Sequence, residues 1–180
     1  MKPALLIVGL GNPGKQYEGT RHNAGFQAID TLSNLFGQSA WKESGKFHAM
    51  VQEARIVSIP VLLVKPLTFM NLSGDSVKKL VTFYKLNAAE NILILSDDID
   101  LPLGTLRLKK KGSAGTHNGL KSLVEQFGEN FPRLRIGIGN PSKGEDLATW
   151  VLSAMTAEEK MALNTAYDEI PEVVTKFMME

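Results

Sequence analysis

The chain has 180 residues, 43% of them hydrophobic and 22% charged, ordinary values for a globular protein and enough apolar mass for a core without staples. It contains no cysteine, which excludes disulfides, thiolate metal sites and a cysteine nucleophile, and no apolar run approaches the roughly 20 residues of a bilayer span. The net charge of +1 hides a division: residues 145–180 hold eight acids and two bases, and residues 105–144 hold eight bases and two acids, as in a body that meets a polyanion on one face.

The Met-Lys-Pro lead runs into an apolar stretch at 4–8 that ends in glycine. It is too short for a signal peptide and has the length of a buried strand, so a cytoplasmic location without membrane contact is expected. Residues 24–36 place Phe26, Ile29, Leu32 and Phe36 near helical spacing, with Gly37 as a stop. Residues 48–57 alternate and 59–64 follow after one residue, which predicts two strands. Val77, Leu80, Val81 and Tyr84 mark an amphipathic helix started near Ser73. Residues 92–95 form a buried strand that runs into Asp97, Asp98 and Asp100, and Leu106 and Leu108 lie in a short strand. Leu120, Leu123, Val124 and Phe127 repeat the helical pattern as far as Gly128, and 134–138 is another strand. Thr156-x-x-Glu159 is a capping box that opens the last helix, which Pro171 should bend or break. No repeat or linker divides the chain. Strands alternating with helices predict a single α/β domain, a sheet covered on both faces.

Five constellations are candidates for chemistry. The run 9–14, Gly-Leu-Gly-Asn-Pro-Gly, matches G-x-G-x-x-G after a strand. A dinucleotide site needs a helix to open within the motif and an acid at a strand end some 20 residues on. Here Asn12-Pro13-Gly14 reads as a turn and Asp30 falls in a helix. The glycines then serve a tight turn that displays Asn12. His22 sits in a polar loop before the first helix, where open α/β folds place their sites; His48 reads as structural, and His117 as a helix-end or a site residue. Asp97, Asp98 and Asp100 would bind Mg²⁺, orient a base, or solvate a loop. Asn12, Asn71 and Asn118 offer carboxamides that complement a peptide group, although Asn118 also suits the cap of its helix. Arg107 and Lys109–Lys111 precede a glycine-bearing loop, a solvated face or a phosphate cradle. A serine elbow, a Walker loop and H-E-x-x-H are absent.

Together these residues resemble the bacterial peptidyl-tRNA hydrolase family. The likeness rests on GLGNPG at 9–14, TRHNAG at 20–25, KPLTFMNLSG at 65–74, SDDIDLPLG at 96–104, GSAGTHNGLKS at 112–122 and RLRIGIGNP at 133–141. The resemblance implies a monomeric, metal-free and cofactor-free esterase, a three-layer α/β/α sandwich with a mixed, mostly parallel sheet. Its partner would be peptidyl-tRNA, met through the acceptor stem, the 3′ end and the peptide; whether a stalled large ribosomal subunit is a further partner stays open. By position His22 resembles the general base, Asp97 the acid that holds it, and Asn12 the residue that separates blocked from free aminoacyl-tRNA. Tyr17, Phe69, Asn71 and Asn118 align with contacts to peptide and 3′ end, and Lys109 and Arg133 with a phosphate-holding patch; which of Arg133 and Arg135 contacts phosphate stays open. The stretch Ser113-Ala114-Gly115-Thr116 is poorer in glycine than in many members. Two other readings stay open: an RNA-binding relative with idle chemistry, which would lack the His–Asp pair, and a nucleotide-dependent oxidoreductase, which would need a helix opening at Gly14.

Overall fold

A computed structural model describes residues 2–180, so Met1 of the lead lies outside the described residues. One seven-stranded sheet organises the chain, in the order β2-β3-β4-β1-β5-β7-β6. Its strands are β1 (Leu5–Gly9), β2 (Lys42–Ser44), β3 (Ala49–Ile56), β4 (Ile59–Pro66), β5 (Ile92–Asp98), β6 (Leu106–Lys109) and β7 (Arg133–Gly137). The neighbours β4, β1, β5 and β7 run parallel, and the pairings at both edges are antiparallel. The helices are α1 (Ala24–Phe36), α2 (Ser73–Tyr84), α3 (Ala88–Asn91), α4 (Asn118–Phe127), α5 (Leu147–Val151) and α6 (Ala157–Met179). None of the described helices is long and apolar enough to cross a membrane.

Strand alternation sorts the core into two layers. Leu5 and Ile7, Val61 and Leu63, and Leu93 and Leu95 join α1 and α6 on one face. Leu6 and Val8, Leu62 and Val64, and Ile92 and Ile94 join α2 and α4 on the other. This is the three-layer arrangement expected of a sheet buried on both sides. Two predicted features come out differently. The strand expected at 92–95 continues through Asp98, so two of the three acids lie inside the hydrogen-bonded ladder and are buried. The last helix runs through Pro171 unbroken. Tyr167, Ile170 and Val174 are buried on both sides of the proline, and that packing offsets the roughly 3 kcal/mol cost of an interior proline.

The first two sequence blocks meet through their glycines. A Cβ on Gly25, in the first turn of α1, would stand 2.5 Å from both Leu10 O and Leu95 O, and one on Gly9 would strike the Gly25 carbonyl. Gly9 and Gly25 therefore serve close helix–strand packing, and of the glycines at 9, 11 and 14 only Gly14 has the positive φ of a special turn. The approach seats the start of α1 against the ends of β1 and β5. Replacing Gly25 by Ala is expected to cost about 2–3 kcal/mol by overpacking, seen as a lower urea midpoint; an unchanged midpoint would contradict this account.

Candidate active site

The candidate side chains converge at the carboxyl ends of β1 and β5, where open parallel sheets form their crevices. Asn12 follows β1, Asp97 is in β5, and His22 is in the 3₁₀ turn Arg21–Asn23 that leads into α1. Asn23 stitches two of these segments together: its Oδ1 accepts from the Asn12 backbone N–H at 2.9 Å, and its Nδ2 donates to the Asn12 carbonyl at 3.0 Å. The Asn12 side chain then reaches the turn before α2, its Oδ1 accepting from the Met70 N–H at 2.7 Å. That bond fixes the orientation of the amide and leaves Nδ2 as its remaining polar group beside the cavity.

Asp97 is 3% exposed and lies between two imidazoles. His22 Nδ1 is 2.8 Å from Oδ2, and His117 Nε2 is 2.9 Å from Oδ1. His117 also caps α4, its Nδ1 accepting from the Gly119 and Leu120 N–H groups at 3.1 and 3.2 Å. A nitrogen that accepts carries no proton, so His117 bears its hydrogen on Nε2 and donates it to Asp97. On the other side the carboxylate takes the Nδ1 proton of His22, which leaves His22 Nε2 as a basic lone pair on the cavity side.

The charges follow from burial and pairing. Burial alone would push the Asp97 carboxyl up, but the two imidazoles beside it hold it well below the usual carboxylate range. Burial likewise works against the charged form of His22, and the Asp97 carboxylate more than offsets it, so the His22 pKa ends above the ordinary histidine value. A buried anion gripped from both sides both orients the base and strengthens it.

Donor atoms of His22, Asp97 and His117 lie within 4.8 Å of one another, a spacing that invites comparison with a metal site. The hydrogen bonds do not suit one. Ligation through His117 Nε2 would move its proton to Nδ1 and break the cap of α4, and ligation through His22 Nδ1 would move the basic lone pair away from the cavity.

These groups line a cavity of about 370 Å³ together with Asn71, Asn118, Arg135 and an apolar wall of Leu147, Ala148, Val151 and Leu152 from the α5 region. The structure thus brings together Asn12, His22, Asn71, Asp97 and Asn118. Asn118 does not cap its helix, because His117 does. Tyr17 and Phe69 pair edge to face at 6.4 Å, outside the cavity walls. Lys109 is exposed on the edge strand β6. Arg133 departs from the phosphate-holding role that the resemblance gave it. It is 1% exposed, and its guanidinium donates to the carbonyls of Phe131, Gly112, Ser113 and Glu129. A buried cation must be hydrogen-bonded, and this one tethers the 112–113 loop instead of facing solvent. Arg135, the second arginine of that block, lines the cavity and pairs with Asp98.

Sequence reasoning left His117 undecided, left open which of Arg133 and Arg135 meets phosphate, and missed Asn23 and α5. His117 stands between Thr116 and Asn118, both ordinary cap residues, so the sequence carried no signal that the imidazole caps α4. Asp146-x-x-Thr149 was the signal for α5, since Asp146 Oδ2 accepts from the Thr149 N–H at 3.1 Å.

The raised pKa of His22 has a sign that can be checked. Its protonation contributes stability that is fully present below the unfolded value of about 6.5 and is lost as pH rises through the folded pKa. Nuclear magnetic resonance titration of the His22 ring should give a midpoint above the ordinary value, and Asp97→Asn should bring it down, because burial then acts unopposed. A midpoint that does not move would remove Asp97 as the cause.

Known proteins resemble the chain over nearly its whole length. The sequence model described as peptidyl-tRNA hydrolase matches residues 6–180. A Brevibacillus brevis protein named peptidyl-tRNA hydrolase is 48% identical over 162 residues, 89% of this chain and 84% of its own. One from Alkaliphilus metalliredigens is 50% identical over 155 residues, 86% of this chain and 82% of its own. The crystal structure of peptidyl-tRNA hydrolase from Acinetobacter baumannii superposes with a TM-score of 0.90 at 39% identity, covering 99% of this chain and 92% of the other. The chain belongs to the peptidyl-tRNA hydrolase family.

Proposed function

We propose that the protein hydrolyses the ester that joins a peptide, or an N-blocked amino acid, to the terminal ribose of tRNA, and so returns tRNA from abortive translation. The single observation that carries the reading is the hydrogen-bonded chain His117–Asp97–His22 ending in a free Nε2 beside a cavity that also holds Asn12, Asn71 and Asn118. In this reading Nε2 takes a proton from water as the oxygen attacks the ester carbonyl carbon. The carboxamides donate to the oxyanion that develops, and the tetrahedral adduct expels the ribose oxygen, which receives the proton from His22. A general base contributes roughly 10²–10⁴-fold, and one oxyanion donor about 3 kcal/mol. An activated ester needs no covalent intermediate, in keeping with the absence of a serine elbow and of cysteine from the sequence.

Selection for a blocked substrate falls to Asn12. Its Oδ1 is engaged by Met70, so it offers a donor, which suits an acyl carbonyl and finds no match in a free ammonium. Phosphates belong along β6, where Arg107 and Lys109 are exposed, with Lys110 and Lys111 leading into the 114–116 loop that lines the cavity. Such contacts hold position without reading sequence. In this reading the protein acts as a monomer in the cytoplasm and needs no metal or other cofactor. On the same reading Tyr17 and the exposed Phe69, which pair edge to face, meet the peptide.

Release of labelled N-acetyl-aminoacyl groups from tRNA, with and without chelator, tests this directly. Wild-type protein should hydrolyse the ester in both conditions. His22→Ala should lose about 10²-fold or more in turnover while staying folded. Asn12→Asp keeps the bond to Met70 and loses the donor, so its preference for acetylated over free aminoacyl-tRNA should shrink by about tenfold, the equivalent of ~1–3 kcal/mol for an unmatched donor. A folded His22→Ala protein with full turnover would overturn the mechanism.

A further inference from the structure

Beside the base lies a second set of charged groups that the proposed mechanism does not use. Arg21, the residue before His22, is 7% exposed. Its Nε and Nη2 donate to the two Glu159 carboxylate oxygens at 2.7 and 2.8 Å, and its Nη1 donates to the Trp150 carbonyl at 2.9 Å. The guanidinium also lies 4.3 Å from the centre of the Trp150 ring. Glu159 is the last residue of the capping box of α6, where its Oε1 accepts from the Thr156 N–H. One carboxylate therefore serves the helix cap and the arginine together, and hydrogen bonding to Arg21 holds it down to about 2. Backbone bonds run alongside: the Arg21 N–H donates to the Ser153 carbonyl, and Thr20 forms a bridge with Ala154.

The arrangement joins two walls of one cavity. His22 stands on the turn that Arg21 begins, and Leu147, Ala148, Val151 and Leu152 form the apolar wall on the α5 segment that Arg21 grips at Trp150. Those two segments are far apart in sequence. A solvated surface pair between them would hold little; this one is nearly buried, bidentate and stacked, the geometry in which arginine is not replaceable by lysine.

We propose that Arg21 is a positioning residue that clamps the α5 wall against the turn carrying His22 and so sets the width of the substrate cavity. It acts on substrate binding and leaves the His22–Asp97 pair alone. The kinetic part rests on the hydrolytic reading above; the clamp itself does not, and it is tested without substrate. Hydrogen–deuterium exchange on Arg21→Lys should be faster across residues 147–153, with α1 and β5 unchanged. In hydrolysis of N-acetyl-aminoacyl-tRNA, the KM should rise by about tenfold while kcat stays within about twofold, and the His22 titration should not move. Glu159→Gln keeps the oxygen that caps α6 and weakens the grip on Arg21, so it should shift both readouts in the same direction; it decides the matter if Arg21→Lys does not fold. Thr156→Ala loosens the start of α6 without touching Arg21, and should lower the melting temperature with KM unchanged. Unaltered exchange at 147–153, a fall in kcat at constant KM, or an equal rise of KM in Thr156→Ala would each overturn the proposal. Inactive wild-type protein with the exchange result intact would count against the hydrolytic reading and not against the clamp.

Discussion

The arrangement of this site depends on one buried anion. Asp97 is in the strand ladder, where water cannot solvate it, and its two oxygens are each satisfied by an imidazole. A single unpaired carboxylate in that position would be protonated or would open the core. With two donors it stays charged, and each donor is thereby fixed in tautomer and direction. His117 completes the arrangement because the N-terminus of α4 occupies its other nitrogen. One ring is consumed as a structural support so that the other can present a lone pair to the cavity.

Backbone proximity makes that geometry reachable. The glycines at 9 and 25 let α1 approach the ends of β1 and β5, and Asn23 ties the turn before α1 to the loop after β1. His22 and Asn12 are thus set by main-chain contacts from the same two segments. The further wall, on α5, comes from a distant part of the chain and is held through Arg21. Helix, strand and the α5 segment meet at one edge, and the cavity-lining side chains occupy the gap.

Most of the elements were legible in the sequence because each carried a regular period: the helices over 24–36 and 73–84, the paired strands and the capping box all follow local spacing. Asp97 and Asp98 were harder, since acids ordinarily end a strand and here the strand continues through them; only their three-dimensional partners explain it. Pro171 illustrates the reverse, a local rule overridden by burial on both sides. Residue types at 12, 22, 71, 97 and 118 suggested the site, and the structure gathers them around one cavity. Arg133 and Arg135 could not be told apart by sequence, because alternation puts both on the same face of β7, and only the loop carbonyls at 112, 113 and 129 bury one guanidinium while the other lines the cavity. His117 required knowledge of which residue caps α4 and which carboxylate stands behind it.

A pH–rate profile tests the central claim, that a single Asp97-supported imidazole takes the proton from water. The kcat/KM for N-acetyl-aminoacyl-tRNA should rise with pH along one ionisation that coincides with the His22 midpoint, above the ordinary histidine value, and level off once the ring is neutral. A profile that is flat across the range in which His22 titrates, or one that falls as the ring loses its proton, would contradict it.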